Sequence, residues 1–278
     1  MFEKILNLLK TTGKIIMLTS LAQKAKNSLT RKTKSKIEKL SWKNLNLEWT
    51  LKSGLKAKVK NQAEWVIYND IFVDQEYDLP IEITLEKLGN NCSELRILDL
   101  GANVGFFTLR FADLAYQKFS NSEIPFQATL VEGSPIVYKE LKSRLSEEPF
   151  FKEKTTVVHG LVGELKGSAQ IFESDFHVMN SLFSDSKKGG IDVKYVDINS
   201  LYREDYQIDL LKCDIEGSEL RLIENYKELL LRVDLAVFEF HHDKCDTNRC
   251  REILKSVGFT NNQKLRETPT FSVELFGK

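Results

Sequence analysis

After Arg96, short apolar runs alternate with stretches whose apolar residues recur every three or four positions. The runs read as buried strands and the periodic stretches as amphipathic helices. In order, the pattern predicts strand RILDL, a helix from about Gly105, strand ATLVE, a helix from about Pro135, strands TTVVHGLV and SAQIFES, strand IDLLKCDI, a helix from about Ser218 and strand VDLAVFEFH. A helix near Arg249 to Val257 and a closing strand pair, TNNQKLRE with FSVELF, complete it. Strands apolar along their whole length and separated by helices predict an α/β fold, a parallel sheet covered by helices on both faces.

Ahead of this core, residues 91–278, the pattern is weaker. LEWTLK and LKAKVK, around Ser53 and Gly54, predict two short strands joined by a turn, and WVIYNDIF from Trp65 is a further apolar segment; residues 41–90 thus form a small β layer. In residues 1–40, Phe2, Ile5, Leu6 and Leu9 fall at helical spacing. They predict an amphipathic helix that packs on the body, on a second subunit of a homo-oligomer or on a membrane surface.

Composition (42% hydrophobic and 29% charged over 278 residues) fits a globular chain and excludes disorder along the whole length. The distribution of charge adds more. The 40 basic and 40 acidic residues cancel, yet residues 1–60 hold 15 Lys or Arg against Glu3, Glu38 and Glu48, net +12, which leaves net −12 on the remainder. A basic arm on an acidic body points to a polyanionic partner such as an anionic membrane surface or nucleic acid. Ile15 to Leu18, the longest aliphatic stretch near the start, falls far short of the roughly 20 residues that span a bilayer. Cys92, Cys213, Cys245 and Cys250 are too scattered for a disulfide framework, which predicts a cytoplasmic protein, peripheral to the membrane if the arm binds there.

In a sheet of this kind ligands bind at the carboxyl ends of the strands, where the strand order reverses. RILDL ends in Asp99-Leu100-Gly101-Ala102-Asn103-Val104-Gly105. Gly101 suits a tight turn and Gly105 a close helix approach, but the Gly-x-Gly-x-x-Gly fingerprint of dinucleotide sites is absent, which disfavours a nicotinamide dehydrogenase. An acid at the strand end suits a cationic or hydroxyl-bearing ligand, and so a sulfonium nucleoside. ATLVE places Glu132 on the neighbouring tip, where a carboxylate accepts from both ribose hydroxyls. IDLLKCDI runs into Asp214, Glu216 and Glu219, three carboxylates within six residues. Ser218 with Glu219 reads as helix capping, leaving Asp214 and Glu216 as the functional pair. VDLAVFEFH ends in His241 and His242, and a histidine there suits a general base at neutral pH. His241, His242, Cys245 and Cys250 are metal-ligand types, but they lack the Cys-x-x-Cys pair of structural zinc sites, so no metal is expected.

ILDLGANVGFFTLRFA, LVEGSP, IDLLKCDIEGSELRLIENYKELL and VFEFHH, in this order and spacing, resemble FkbM-type S-adenosylmethionine-dependent methyltransferases, from about IFVDQEYDLPIE to the C-terminus. GLVGE departs from the Ala-Leu-Ser-Asp type of segment at its place in the family. The resemblance implies a Rossmann-like seven-stranded methyltransferase sheet and methylation of hydroxyl oxygens on glycans, polyketides or other small molecules. It implies S-adenosyl-L-methionine held by Asp99, Gly101, Ala102, Asn103, Gly105, Glu132, Gly133 and Asp214. It places Asp214 and Glu216 near the sulfonium and acceptor, and Asp214, Glu216 and the strand-end His241 are the candidate catalytic residues, with His241 or Asp214 as the base. Acceptor contacts are expected from Glu216 and His242, and from His177 and Asn180 in FHVMNSLF. Two readings compete with it: a nucleic-acid methyltransferase that uses the basic arm, and a cofactor-binding module without catalysis.

Overall fold

The chain divides at Asn46 and Leu47 into two units. The computed structural model describes residues 41–42, 45, 47–89, 94–119, 124–171, 190–203 and 206–278, so the helix predicted for the arm lies outside the described residues. The second unit runs β1 (Leu47–Thr50), β2 (Lys56–Val59), α1 (Gln62–Tyr68), α2 (Asp78–Glu86), β3 (Leu95–Leu100), α3 (Phe106–Phe119), β4 (Phe126–Glu132), α4 (Pro135–Glu147), β5 (Thr155–His159) and β6 (Ser168–Ile171). It continues with β7 (Ile191–Lys194), β8 (Ile208–Cys213), α5 (Glu219–Asn225), α6 (Lys227–Leu231), β9 (Val233–His241), α7 (Thr247–Ser256), β10 (Asn261–Glu267) and β11 (Phe271–Gly277).

Seven strands form one sheet in the order β10-β11-β9-β8-β3-β4-β5. The predicted apolar runs fill its centre, and every residue of β8 is buried because helices cover both faces. The five strands from β9 to β5 pair in parallel. β11 is antiparallel to both β9 and β10, so the sheet is mixed rather than wholly parallel. The reason is the short connection between β10 and β11, which permits a hairpin but no crossover. α4 starts where Ser134 Oγ accepts from Val137 N (3.3 Å) and Pro135 fills the first turn, the usual chemistry of a helix start.

Two segments depart from the pattern. SAQI forms β6, but it pairs with β7 in a separate antiparallel ribbon outside the sheet. WVIYNDIF is helical, running through α1 into a π-helical turn, Asn69–Val73. Its start is fixed by Asn61 Oδ1, which accepts from Glu64 N (2.9 Å), and by Glu64, which accepts from Lys60 N (2.7 Å), an arrangement close to a capping box. The chain leaves β3 for β4 on one side and later returns to β8 on the other, so the switch point lies at the carboxyl ends of these three strands.

Candidate functional site

A cavity of about 310 Å³ opens at that switch point, at the lower end of the sizes that enclose small ligands. Its floor is the turn after β3. Gly101 has φ +73°, and a Cβ there would stand 1.7 Å from the carbonyl oxygen of Asp214, so only glycine lets the tips of β3 and β8 meet. Gly101 N and Ala102 N both donate to Val131 O at 3.0 Å, tying the turn to β4. Asn103, at φ +49°, turns its N–H onto Glu132 Oε2 (2.9 Å), while Ser134 N donates to Glu132 Oε1 (2.7 Å). Burial drives the Glu132 carboxyl upward against these two donors and Lys212, and it settles at about 7.

Gly101, Ala102, Asn103, Glu132, Gly133, Asp214 and Glu216 all line the cavity, as their positions at strand tips predict. Asp99 and Gly105 do not. Asp99 is wholly buried: Thr108 Oγ1 donates to it (3.2 Å) and Lys212 Nζ lies 3.6 Å away. Its partner in the β3–β8 register is Lys212, whose charge offsets only part of the burial that raises the Asp99 carboxyl. Lys212 Nζ also donates to Gly101 O (2.7 Å) and lies 3.5 Å from Asp214 Oδ2. Burial opposes the Lys212 charge, but Asp214, Asp99 and Glu239 more than offset it and raise its pKa. Gly105 instead faces Leu141 of α4, 2.8 Å from where a Cβ would stand.

The other end of the cavity is acidic. Glu216 has φ +56°, a left-handed conformation uncommon for a side-chain-bearing residue, and with Asp214, Glu239 and Glu76 it lines this end. Glu216 Oε2 lies 2.8 Å from Lys244 Nζ and 3.4 Å from His241 Nε2. Behind it, His241 is buried, with Nδ1 3.1 Å from Oε1 of the fully buried Glu219 and Nε2 3.6 Å from Glu239 Oε1. Burial alone would lower the imidazole, but the Glu219 bond and the charges of Glu219, Glu216 and Asp214 push it up to about 9. Its acidic neighbours thus favour the imidazolium at neutral pH, a form with no lone pair on Nε2 to take a proton from an acceptor. Glu219, read as a capping residue, does accept from Gly217 N (2.9 Å), but it also holds this histidine.

His242 points to the opposite side of β9, where its Nε2 lies 3.1 Å from Ser272 Oγ in a surface pocket with Arg251 and Glu274. Strand alternation thus removes it from the acceptor contacts and from the four-residue metal set, of which Cys250 is buried in the main core. His177 and Asn180 lie outside the described residues. Three further groups come from sequence signals that are weak or absent. Glu239 shares a strand face with His241 two positions on, which alternation could have revealed. Glu76 and Arg266 are joined only by folding: Arg266 Nη1 bonds Glu76 Oε2 (2.8 Å) and Asp70 Oδ1 (2.6 Å) at the cavity wall. Burial lifts Glu76 to about 7 despite Arg266.

Residues 99–260 match the model of the methyltransferase FkbM domain. The chain belongs to the FkbM methyltransferase family. Its cofactor is S-adenosylmethionine, which this family uses. No curated protein sequence is significantly similar to this FkbM-family chain. Among solved structures it is similar to the FkbM methyltransferase of Methylobacillus flagellatus KT, at 16% identity over 66% of this chain and 44% of that one, with a TM-score of 0.46. The chain thus spans less than half the length of that protein. It is also similar to the N-terminal domain of EvdMO1 with SAH bound (11% identity, 90% and 97% of the two chains, TM-score 0.46). A third is the magnesium protoporphyrin IX methyltransferase ChlM of Synechocystis PCC 6803 with bound SAM (12%, 82% and 88%, 0.42).

Proposed function

We propose that this FkbM-family protein transfers the methyl group of S-adenosylmethionine to a hydroxyl oxygen of a glycan, polyketide or other small molecule. The observation that carries this reading is the convergence of Asp214, Glu216, Glu239 and Glu76 on one end of a cavity whose floor is the Gly101 turn. Ionised carboxylates only accept hydrogen bonds, so they suit a cation or a hydroxyl donor and repel phosphate. A ligand bearing a sulfonium and an ammonium group matches that chemistry. The other end is lined by Val137, Leu161 and Ile171, which suit an apolar base, and by Glu132, which suits a ribose diol.

When bound, the cofactor supplies an electrophilic methyl group. The chain contributes alignment, which provides up to roughly 7–11 kcal/mol in well-oriented reactions, and a proton acceptor, which contributes about 10²- to 10⁴-fold. Asp214 and Glu216 are assigned to hold the acceptor hydroxyl. Glu239 is assigned to take its proton, because its carboxylate lines the same end of the cavity, 3.6 Å from His241 Nε2. His241, an imidazolium between Glu216 and Glu239, positions both.

The test incubates the purified protein with S-adenosylmethionine and a panel of sugars and phenols, and reads S-adenosylhomocysteine release and product mass. Methyl ethers are expected, with turnover lost in Glu239→Gln while calorimetry still detects cofactor binding. Transfer only to nitrogen or carbon acceptors, or binding without transfer to any of them, would overturn the reading.

A further inference from the structure

We propose that Asp214, Glu216 and His241 form a site for one divalent cation of the Mn²⁺ and Mg²⁺ class, and that this ion holds two adjacent hydroxyl oxygens of the acceptor. The inference rests on the methyltransferase reading and deepens it by naming a vicinal diol as the substrate class.

One ligand atom from each of the three residues lies within 4.8 Å of the other two, a spread that small side-chain rotations close to the roughly 4.0–4.4 Å that one octahedral ion spans at about 2.0–2.2 Å from each ligand. Two carboxylates and one imidazole form a hard, mostly oxygen donor set. It suits Mn²⁺ or Mg²⁺ better than the sulfur-preferring metals.

Two further observations point to a cation. Glu219, with no exposed side chain, engages His241 Nδ1 and so presents Nε2 toward Glu216 and Glu239. A buried carboxylate on the far nitrogen is the usual device that orients a ligating histidine, and metal binding at Nε2 displaces its proton. Glu76 lines the same cavity with a side chain only 5% exposed, and its Oε1 is buried without a hydrogen-bond partner. This end of the cavity thus holds more acceptor oxygens than the surrounding N–H groups satisfy. Lys244 is the competitor: its ammonium lies 2.8 Å from Glu216 Oε2, and it must swing toward solvent for a metal to share that oxygen.

Three protein ligands leave about three of six coordination positions for the acceptor and water. Two adjacent positions fit a vicinal diol. The bound hydroxyl gives its proton to Glu239, its oxygen bonds the methyl carbon, and the carbon–sulfur bond breaks with its electron pair going to sulfur. The sulfonium becomes a neutral thioether and the metal keeps its oxidation state.

The test strips the full-length protein with chelator and titrates it with Mn²⁺ alone, following the loss of the free-ion signal by electron paramagnetic resonance. One saturable site per chain is expected. Its affinity should fall by about 10- to 100-fold in Glu219→Gln, which leaves all three ligands in place but weakens the support of His241 and of the Gly217 turn, and by at least that much in Glu216→Gln. It should rise in Lys244→Met, an outcome that misfolding cannot produce. Absence of saturable binding, or binding unchanged by all three substitutions, overturns the site. Calorimetry with S-adenosylmethionine on the same samples separates the two proposals: cofactor binding without Mn²⁺ binding overturns the metal site alone, and Mn²⁺ binding without cofactor binding overturns the methyltransferase reading.

Discussion

Glu132 is under two opposed demands. Burial favours its neutral form and lifts the carboxyl to about 7, while the N–H groups of Asn103 and Ser134 favour the carboxylate. Two ribose hydroxyls would add donors to the charged side of that balance, so cofactor binding at pH 6 to 7 is expected to release a proton. Titration calorimetry in buffers of different ionisation enthalpy measures this directly. Glu132→Gln should abolish the release and weaken binding by about 1–3 kcal/mol, roughly 5- to 150-fold. An unchanged proton count in the variant would remove Glu132 from the cofactor site. Gly101→Ala is the steric counterpart: with Asp214 O 1.7 Å from the new Cβ, the tips of β3 and β8 must separate. Binding should be lost while far-UV circular dichroism stays near that of the parent, because the strain is confined to the turn. That Gly101, Asn103, Glu132, Asp214 and Glu216 line one cavity was legible because a strand tip at a switch point leaves a side chain few places to go. The burial of Asp99 away from the cavity was not legible, because its neighbour in register, Lys212, is distant in sequence. His241 was located correctly, but its charge was not legible, since that depends on Glu219 being buried beneath it.

At the scale of elements, β10 and the π-helical turn Asn69–Val73 are tied through one side chain. Arg266 bonds Asp70 and Glu76, and Glu76 is nearly inaccessible while Arg266 is partly exposed. Arg266→Ala strands a buried carboxylate, so it should destabilise the fold by roughly 1–3 kcal/mol, read as a lower urea midpoint. The Glu76→Gln, Arg266→Ala double variant should recover part of that loss, because the buried carboxylate is gone and only the partly exposed Asp70 loses its partner; no recovery would mean that Arg266 acts through packing alone. Neither partner announced itself in the sequence, since the contact depends on how the hairpin folds back over the strand tips. The central strands were legible because burial on both faces makes them continuously apolar. β7 was not, because Val193 is the one buried residue in IDVK and its partner strand lies outside the sheet. The helical nature of WVIYNDIF was written in Asn61 and Glu64, a start signal that its run of β-prone residues concealed.

For the whole molecule the acidic end of the cavity sets a direction of pH dependence. Glu76 and Glu132 rise from 4.5 to about 7, and Glu216 and Glu239 rise as well. A carboxyl raised by folding contributes stability below its unfolded pKa and loses it as pH rises through the folded one. His241, raised from 6.5 to about 9 by its acidic neighbours despite burial, behaves likewise: its contribution is full below 6.5 and gone above 9. Glu140 and Glu274 act in the other direction. Burial opposes them, but Lys60 and Arg144 hold the first low and Arg251 the second, so their stability is lost on acidification. The melting temperature should therefore be highest near pH 5 to 6 and fall steadily to pH 9. A sulfonium ligand reverses part of that loss, because it favours the ionised carboxylates that the empty cavity penalises. The rise in melting temperature at a fixed, saturating S-adenosylmethionine concentration should thus be larger at pH 8 than at pH 6. Differential scanning fluorimetry with and without the ligand at the two pH values tests the point. A larger rise at pH 6 would mean that the carboxylates do not face the cofactor's positive charge, and the acid cluster would have to be assigned to the acceptor or to structure alone.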